Sequence, residues 1–290
     1  MPVTAVIPAH RRLDKLLNTL QIINGCEPAP SEILVHVDGA SSEIVQVLEQ
    51  RFPQVRVLSS QELVGPGGAR NRLIEAANNE LVANFDDDSF PAHQDYFENV
   101  LAVARLQPDA AIFSAQIMTH LPKADEPAPK PLDWQITMFA GCGCVFRKSW
   151  FVKTQGFVPI PLAYFMEEAD LSLQLHALGA QMVQTSRLRV CHLNPREGTP
   201  NTHITSYSIA NIALLGYLRY PPLLWPLIPL QITSRILWLS QRRWFKGIVA
   251  GLFLAPSHVM KYASYRKRVS ARAVLSWLIE RRRPESLTSV

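Results

Sequence analysis

Short β-rich apolar runs alternate with helix-spaced segments through the first 90 residues, and few folds satisfy that pattern. Pro2 to Pro8 (PVTAVIP) reads as a buried first strand, and His10 to Asn24 carries Leu13, Leu16, Leu17, Leu20 and Ile23 at helical spacing. Ile33 to Val37 is a second strand ending at Asp38-Gly39, and Ser41 and Ser42 can cap a helix over Glu43 to Arg51. Val55 to Leu58 is a third strand, Gly65 to Gly68 a loop, Ala69 to Asn78 a helix and Leu81 to Phe85 a fourth strand. Successive strands separated by helices run parallel, because the crossover returns each strand to the same end of the sheet. The pattern therefore predicts an α/β, Rossmann-like, mostly parallel sheet with helices on both faces. Ligands of such sheets bind at the carboxyl ends of the strands, where Pro8-Ala9-His10, Asp38-Gly39 and Asp86-Asp87-Asp88 fall.

The acidic triplet closes LVANFDDDSFP. Strand alternation puts Asp86 and Asp88 on one face and Asp87 on the other. Two carboxylates on one face repel unless a cation sits between them, and Mg²⁺ or Mn²⁺ prefers such oxygens while keeping positions open for phosphate. The D-x-D thus reads as a clamp for a metal–diphosphate; a solvated acidic turn is the competing reading.

Beyond the triplet, Tyr96 to Leu106 is a helix and Ala110 to Met118 a strand. Pro122 to Pro131 is a Pro-rich charged loop. Ile136 to Phe146 is an apolar stretch in which Gly141 and Gly143 let the backbone approach something closely. Met166 to Leu178 is a helix closed by Gly179, Gln181 to Val190 contains a strand, and His192 to Asn201 is a loop. The four cysteines lack zinc spacing, since Cys142-Gly143-Cys144 is not C-x2-C and no second pair follows it. They read as reduced thiols of a cytosolic protein, and MPVTAVIPAHRR has no signal-peptide apolar region.

A net charge of +5 conceals an asymmetry: residues 1–218 carry 16 Lys+Arg against 22 Asp+Glu, and residues 219–290 carry 13 against 2. The basic tail is also apolar. Ile204 to Leu218 and Tyr220 to Ser234 are each 15 uncharged residues, the second with four prolines, and Gly247 to Ser257 adds 11. None reaches the roughly 20 apolar residues of a spanning helix. Trp225, Trp238, Trp244 and Trp277 among Arg and Lys make an interfacial composition. The tail, about 205 to 280, is expected to form helices lying in the cytoplasmic leaflet, drawn by anionic lipid; a helical subdomain packed on the core is the alternative. Nucleic acid is not an expected partner, because the tail is too apolar and holds no reader motif.

In this order VIPAH, VDGAS, GPGGARN, FDDDSFP, GCGCVFRKSWF and MEEADLSLQLHALG resemble a family 2 glycosyltransferase of the GT-A fold, over roughly residues 3–195. With the tail read from its composition, the chain divides into a GT-A catalytic domain over 1–203 and a membrane-associating tail over 204–290. The resemblance implies that Pro8, Ala9 and His10 line the nucleotide pocket, that Asp38 bonds the base, and that Arg70 contacts the nucleotide. Asp86 falls near the ribose and Asp88 on the metal, with Asp87 between them among the nucleotide-sugar-binding residues. His192 resembles a histidine that completes the metal shell together with Asp86 and Asp88, and Gly141 to Gly143 border the sugars. The usual Glu-Asp base motif is Glu167-Glu168 here, which leaves open which of the two is the base, while Asp170 fixes the helix.

The activity these residues imply is an inverting, metal-dependent transfer from a nucleoside-diphosphate sugar to a lipid-linked or polysaccharide acceptor. The protein carrying it would be peripheral, on the inner face of the cell membrane. A catalytically idle sugar-nucleotide-binding or scaffold relative is the alternative from another class. A nucleotidyltransferase would carry glycine after the first strand, where PAHRRLD has none. Gln241-Arg242-Arg243-Trp244 is one residue short of the QxxRW motif of processive relatives, so that property is not carried over.

Overall fold

The computed structural model describes residues 2–39, 42–122, 132–161, 166–193, 201–281 and 285–287. Nearly all of the Pro-rich loop, most of the loop after His192 and the capping candidate Ser41 lie outside them.

Strands β1 (Val3–Ala9), β2 (Glu32–Asp38), β3 (Arg56–Ser60) and β4 (Leu81–Asn84) form a parallel array in the order β3-β2-β1-β4. Helices α1 (Leu13–Asn24), α2 (Ser42–Arg51) and α3 (Gly65–Ala76) supply the crossovers. The two-residue period of a strand decides which helix meets which side chain. Val3, Ala5, Ile7 and Ala9 of β1 pack with Leu16, Leu20 and Ile23 of α1 and Ile44 and Leu48 of α2. Val6 points the other way, to Leu73 and Ile74 of α3. The helices thus cover both faces.

The sheet continues with β5 (Ser89–Pro91), helix α4 (Tyr96–Leu106), β6 (Ala110–Met118), β7 (Asp133–Gln135) and β8 (Cys144–Arg147). After the short helix α5 (Lys148–Phe151) come helix α6 (Met166–Ala177) and the long strand β9 (Gln181–His192). Antiparallel pairing enters here: β8 runs against both β4 and β6, and β7 against β9, while β6 and β9 remain parallel. The strand–helix alternation of the first 90 residues does not extend to this part of the chain.

Gly65–Gly68, expected as a loop, is the first turn of α3. Pro66 supplies the preset φ of a helix start. The Asp38 carboxylate accepts the Val64 and Gly65 N–H groups, both at 2.9 Å. Gly65 has φ +72°, and a Cβ there would lie 2.2 Å from the Ile160 carbonyl oxygen, so the position admits only glycine.

Helix α6 is buried almost all round, as expected of a helix covered on both sides. Leu171 and Leu175 face the sheet. Ala169 and Leu173 face a layer made by the C-terminal helices α7 (Thr202–Arg219), α8 (Leu227–Gln241), α9 (Ile248–Lys261) and α10 (Ala271–Glu280). Two apolar clusters join that layer to the sheet domain. One combines Val158, Ile160 and Met166 with Leu214, Leu218 and Tyr262; the other combines Ala169 and Leu173 with Tyr220, Val274 and Trp277. The indole N–H of Trp277 donates to the Thr137 carbonyl at 2.7 Å, and the terminal strand β10 (Glu285–Leu287) pairs with β7.

The tail therefore has two parts. Helices α7 and α10 pack on the core, which is the alternative reading for those segments. Helices α8 and α9 lie outside α7 and keep apolar side chains in the open: Leu230 of α8 is 64% and Phe253 of α9 81% exposed, and Phe245 in the connection between them is 61% exposed. Among the described residues no helix is long and apolar enough to cross a membrane.

Candidate active site

The carboxyl end of β4 carries the site. Phe85 is fully buried against Tyr96 and Phe97 and fixes the point where the strand leaves the sheet. The next residues form a turn closed by the Asp86 N–H to Ser89 Oγ at 2.7 Å and the Ser89 N–H to the Asp86 carbonyl at 3.1 Å. Because the chain turns, the strand period stops at the triplet. Asp86 meets Arg70 of α3, whereas Asp87 and Asp88 both meet Arg12 at the start of α1. Asp87 and Asp88 thus share one partner instead of facing opposite sides, as strand alternation predicts.

β5 then pairs with the end of β9 in the register Ser89 with His192. That register sets His192 Nε2 3.4 Å from Asp88 Oδ1. One ligand atom each from Asp86, Asp88 and His192 lies within 4.8 Å of the others. Two carboxylate oxygens and one imidazole suit a divalent ion of the Mn²⁺ kind, so the donor set fits the metal expected from the D-x-D. Burial alone raises the Asp88 pKa, but the hydrogen bond from His192 and the charge of Arg12 hold it well below the usual carboxylate range. The same bond to Asp88 raises the pKa of His192 against the effect of burial. Burial dominates at Asp87, pushed up to about 6 despite its ion pair with Arg12.

Arg70, 3% exposed, is the hub on the other side. Its Nη2 donates to Asp86 Oδ1 at 2.7 Å, and its Nη1 lies 3.5 Å from Glu167 Oε1. Burial opposes its charge, and Asp86, Glu168 and Glu167 more than offset that, raising its pKa. Gly141 sits between hub and helix: a Cβ there would lie 2.5 Å from Glu168 Oε1 and 3.1 Å from Arg70 Nη2. Asn84, the last residue of β4, holds Gly141 in place by donating from Nδ2 to its carbonyl. Glu167 and Glu168 open α6, where the helix N-terminus favours negative charge. Burial nevertheless raises both pKa values, and at Glu167 the charge of Glu168 adds to it. Among the described residues Arg70 Nε, Asn84 Oδ1, Glu167 Oε2 and Glu168 Oε2 are buried without a hydrogen-bond partner. Most buried polar atoms in folded proteins are paired, and others without a partner lie elsewhere in the chain, among them His36 Nδ1 and the Tyr96 hydroxyl; these four are set apart by lying close together around Gly141.

Of the expected site residues, Asp86, Asp88 and His192 come together as one group, and Arg70 connects them to Glu167, Glu168 and Gly141. Pro8 and Ala9 end β1 in register with His36 and Val37 of β2. His10 Nδ1 lies 2.7 Å from the Asp38 carbonyl oxygen. The Asp38 carboxylate accepts hydrogen bonds from Ser60 and from the start of α3. Asp170 is bonded to Arg219 and Gln174 inside the protein and fixes α6, as expected. Arg12 and Lys15 are site residues that the sequence pattern does not single out, although PAHRRLDK sets three cations directly after the first strand. Asn84 is another: its signal is a polar residue ending an apolar strand, which calls for a backbone partner.

The sheet and this site define a GT-A-type fold. A mannosyltransferase from Pyrobaculum calidifontis, solved with GDP-mannose and Mn²⁺, matches 97% of this chain and 87% of its own with a TM-score of 0.58 at 13% identity. GalNAc-T7, solved with UDP, GalNAc and Mn²⁺, matches 77% of this chain and 48% of its own with a TM-score of 0.59 at 12% identity. Staphylococcus aureus TarS residues 1–349, solved with UDP-GlcNAc, matches 73% of this chain and 66% of its own with a TM-score of 0.52 at 12% identity. At such identities the likeness is one of fold. No curated protein sequence matches the chain. The family model "Glycosyl transferase family 2" matches residues 4–154, more than half of the chain, and the chain belongs to that family. It is a glycosyltransferase.

Proposed function

We propose that the protein transfers a sugar, with inversion, from a nucleoside-diphosphate sugar to a lipid-linked or polysaccharide acceptor. The observation that carries this reading is the continuous path from the Asp86–Asp88–His192 group through Arg70 to the buried pair Glu167 and Glu168. Leaving-group chemistry and proton removal need two such poles a short distance apart. Asp86, Asp88 and His192 would hold a divalent ion, Mg²⁺ or Mn²⁺, whose charge offsets that developing on the diphosphate. Arg70 adds a fixed positive charge to the same side. The path to Pro8, Ala9, His10 and Asp38 along the strand ends would take the nucleoside, with Asp87 behind the diphosphate.

The acceptor hydroxyl loses its proton as it attacks, and a carboxylate takes it. Two neighbouring carboxylates with raised proton affinity titrate as a pair, so one proton is shared while the other group stays ionised. Glu168 borders Gly141, the point where donor and acceptor sugars would meet, which favours it as the base, with Glu167 as its coupled neighbour. One base and no enzyme nucleophile imply a single displacement. Proton NMR of the fresh product tests this: an anomeric configuration opposite to the donor's is expected, and retention refutes it.

The tail supports a membrane-bound acceptor. Residues 198–279 contain no Asp or Glu. Exposed Leu237, Val249 and Phe253 on α8 and α9 lie among Arg235, Arg242, Arg243 and Lys246, and Arg235 and Arg242 stack on Trp238 at 4.3 and 3.9 Å. Apolar side chains with basic residues and Trp suit an anionic bilayer surface, each Lys or Arg near it contributing about 1 kcal/mol. In this reading residues 1–203 are the catalytic domain and 204–290 bring it to the cytoplasmic face of the membrane. Flotation with anionic vesicles tests it; protein that stays at the bottom refutes it.

A further inference from the structure

Arg12 and Lys15 have no part in the transfer chemistry proposed above, yet they make the densest charge contacts of the site. Arg12 Nε donates to Asp87 Oδ2 at 3.1 Å, and its Nη2 pairs with Asp87 Oδ1. Its Nη1 pairs with Asp88 Oδ2, and Nη2 also reaches Asp88 Oδ1 at 3.2 Å. Lys15 Nζ lies 3.2 Å from Asp88 Oδ2. The acids are enclosed, with side chains 6% and 8% exposed, whereas Arg12 and Lys15 are 41% and 39% exposed and cover them from the solvent side. Both cations also line an open cleft of about 650 Å³ with Arg11, Asp14 and Glu43. Their long side chains therefore have room to turn away from the acids.

This arrangement conflicts with metal binding unless something else intervenes. An ionised carboxylate offers about four lone-pair directions. On Asp88 those directions already meet Arg12 twice, Lys15 once and His192 once. A divalent ion arriving alone must displace two cations from Asp88 or sit beside them. An ion arriving with a diphosphate meets a different balance. The phosphate oxygens offer Arg12 a bidentate acceptor equal to the one it leaves, and Lys15 a point charge of the same sign as Asp88.

We propose that Arg12 and Lys15 are diphosphate-binding residues that exchange Asp87 and Asp88 for the donor's phosphate oxygens, so that metal and nucleotide bind mainly together. The inference rests on the donor and metal reading of this site. By linkage the coupling is reciprocal: whatever factor the diphosphate adds to metal affinity, the metal adds to diphosphate affinity. The consequence is that the ion is held tightly only when there is a leaving group for it to serve.

The test uses the full chain, with Mn²⁺ alone and Mn²⁺ with inorganic pyrophosphate as probes. Pyrophosphate needs no knowledge of the base. Free Mn²⁺ is measured by electron paramagnetic resonance and referred to protein-free mixtures of Mn²⁺ and pyrophosphate, because pyrophosphate itself chelates the ion. In the wild type, saturating pyrophosphate is expected to tighten Mn²⁺ binding about tenfold or more, inside the usual range of coupling. Arg12→Gln is expected to bind Mn²⁺ alone several-fold more tightly than wild type and to lose most of the pyrophosphate effect. Arg12→Lys keeps the charge without the fork and is expected to fall between. Lys15→Met, at a more exposed position, carries the same test should Arg12→Gln fail to fold.

Unchanged Mn²⁺ affinity in Arg12→Gln, or a tighter affinity with the full pyrophosphate effect retained, overturns the inference; the second outcome makes Arg12 a structural counter-ion. Asp88→Asn separates this from the parent reading. Mn²⁺ binding indifferent to Asp88→Asn overturns the metal site itself and the inference with it. Binding that needs Asp88 but ignores Arg12 overturns the inference alone.

Discussion

Replacing Arg219 by Met is expected to destabilise the protein by about 3–5 kcal/mol, the cost of leaving a buried charge without its partner. Arg219 and Asp170 are both fully buried. The guanidinium engages both Asp170 oxygens, with Nη2 to Oδ2 at 2.8 Å, and its Nη1 reaches Gln155 Oε1 and the Tyr265 and Lys267 carbonyls. Methionine fills much of the volume but satisfies none of these acceptors. Asp170 keeps only the Gln174 amide, at 2.9 Å, which does not neutralise it. With an m-value of about 3 kcal/mol/M, the urea midpoint should fall by roughly 1–1.7 M. The double replacement Asp170→Leu with Arg219→Met removes both charges and is expected to recover most of the loss, since apolar substitutes for a buried pair are often neutral or better. Transfer activity should fall with the single variant, because α6 carries Glu167 and Glu168 and rests on α7 through this pair. A single variant within about 1 kcal/mol of wild type refutes the reasoning; so does a double variant no better than the single one.

The site gives three more expected outcomes. Gly141→Ala drives a methyl group against Glu168 and Arg70, so kcat is expected to drop at least about tenfold, about 1.4 kcal/mol of barrier, in a protein that still melts cooperatively; unchanged kcat contradicts the placing of Gly141. Burial raises the Glu167 pKa, so the folded state binds more protons than the unfolded one above the ordinary value of about 4.3. Its contribution is full below that pH and is lost as pH rises toward the folded pKa. Glu167→Gln does not titrate and should gain on wild type between pH 5 and pH 8 by at least about 1.4 kcal/mol, and melts that run parallel across that range exclude the shift. Phe253→Glu places a charge on an 81% exposed apolar position of α9, and should weaken vesicle flotation while leaving the melting temperature within about 1 °C, as surface changes do.

The first half of the fold is legible because each local signal agrees with the next. The apolar run of β1, buried along almost its whole length, the helical spacing in α1 and the Asp38-Gly39 strand end all name the same parallel layout, and the structure places them so. The start of α3 is obscured by its glycines. Gly65 and Gly67 read as a loop in isolation, but they are there for Ile160 and Phe157 to lie against the helix start, a contact from 90 or more residues away. The antiparallel β8 is hidden for a similar reason: Cys144–Arg147 is four residues long, and its pairing with β4 and β6 is decided by the tertiary fold. The tail misleads by composition. Helix α7 is as apolar as α8, and the contacts that set α7 against the core, Leu214 and Leu218 with Val158 and Ile160 and the buried Arg219 with Asp170, come from positions about 50 residues earlier.

Site residues are legible where one residue type carries the chemistry, and obscure where the chemistry lies in a relation. An acid triplet and a glutamate pair announce themselves; His192 is named only by the family resemblance, and the register of Ser89 with His192 is what sets it beside the acids. Arg12 does not announce itself, because a basic residue after a strand is common and its meaning depends on what it covers. Here it covers Asp87 and Asp88, the second of which the metal reading needs. A chain that must hold a divalent ion beside a diphosphate, and release both after each turnover, cannot leave such acids as bare traps for free metal. Cations from the neighbouring helix lower their affinity until the phosphate arrives. The requirement for Arg12 thus comes from the same electrostatics that make the D-x-D recognisable, but it can be seen only once α1 is set against the end of β4.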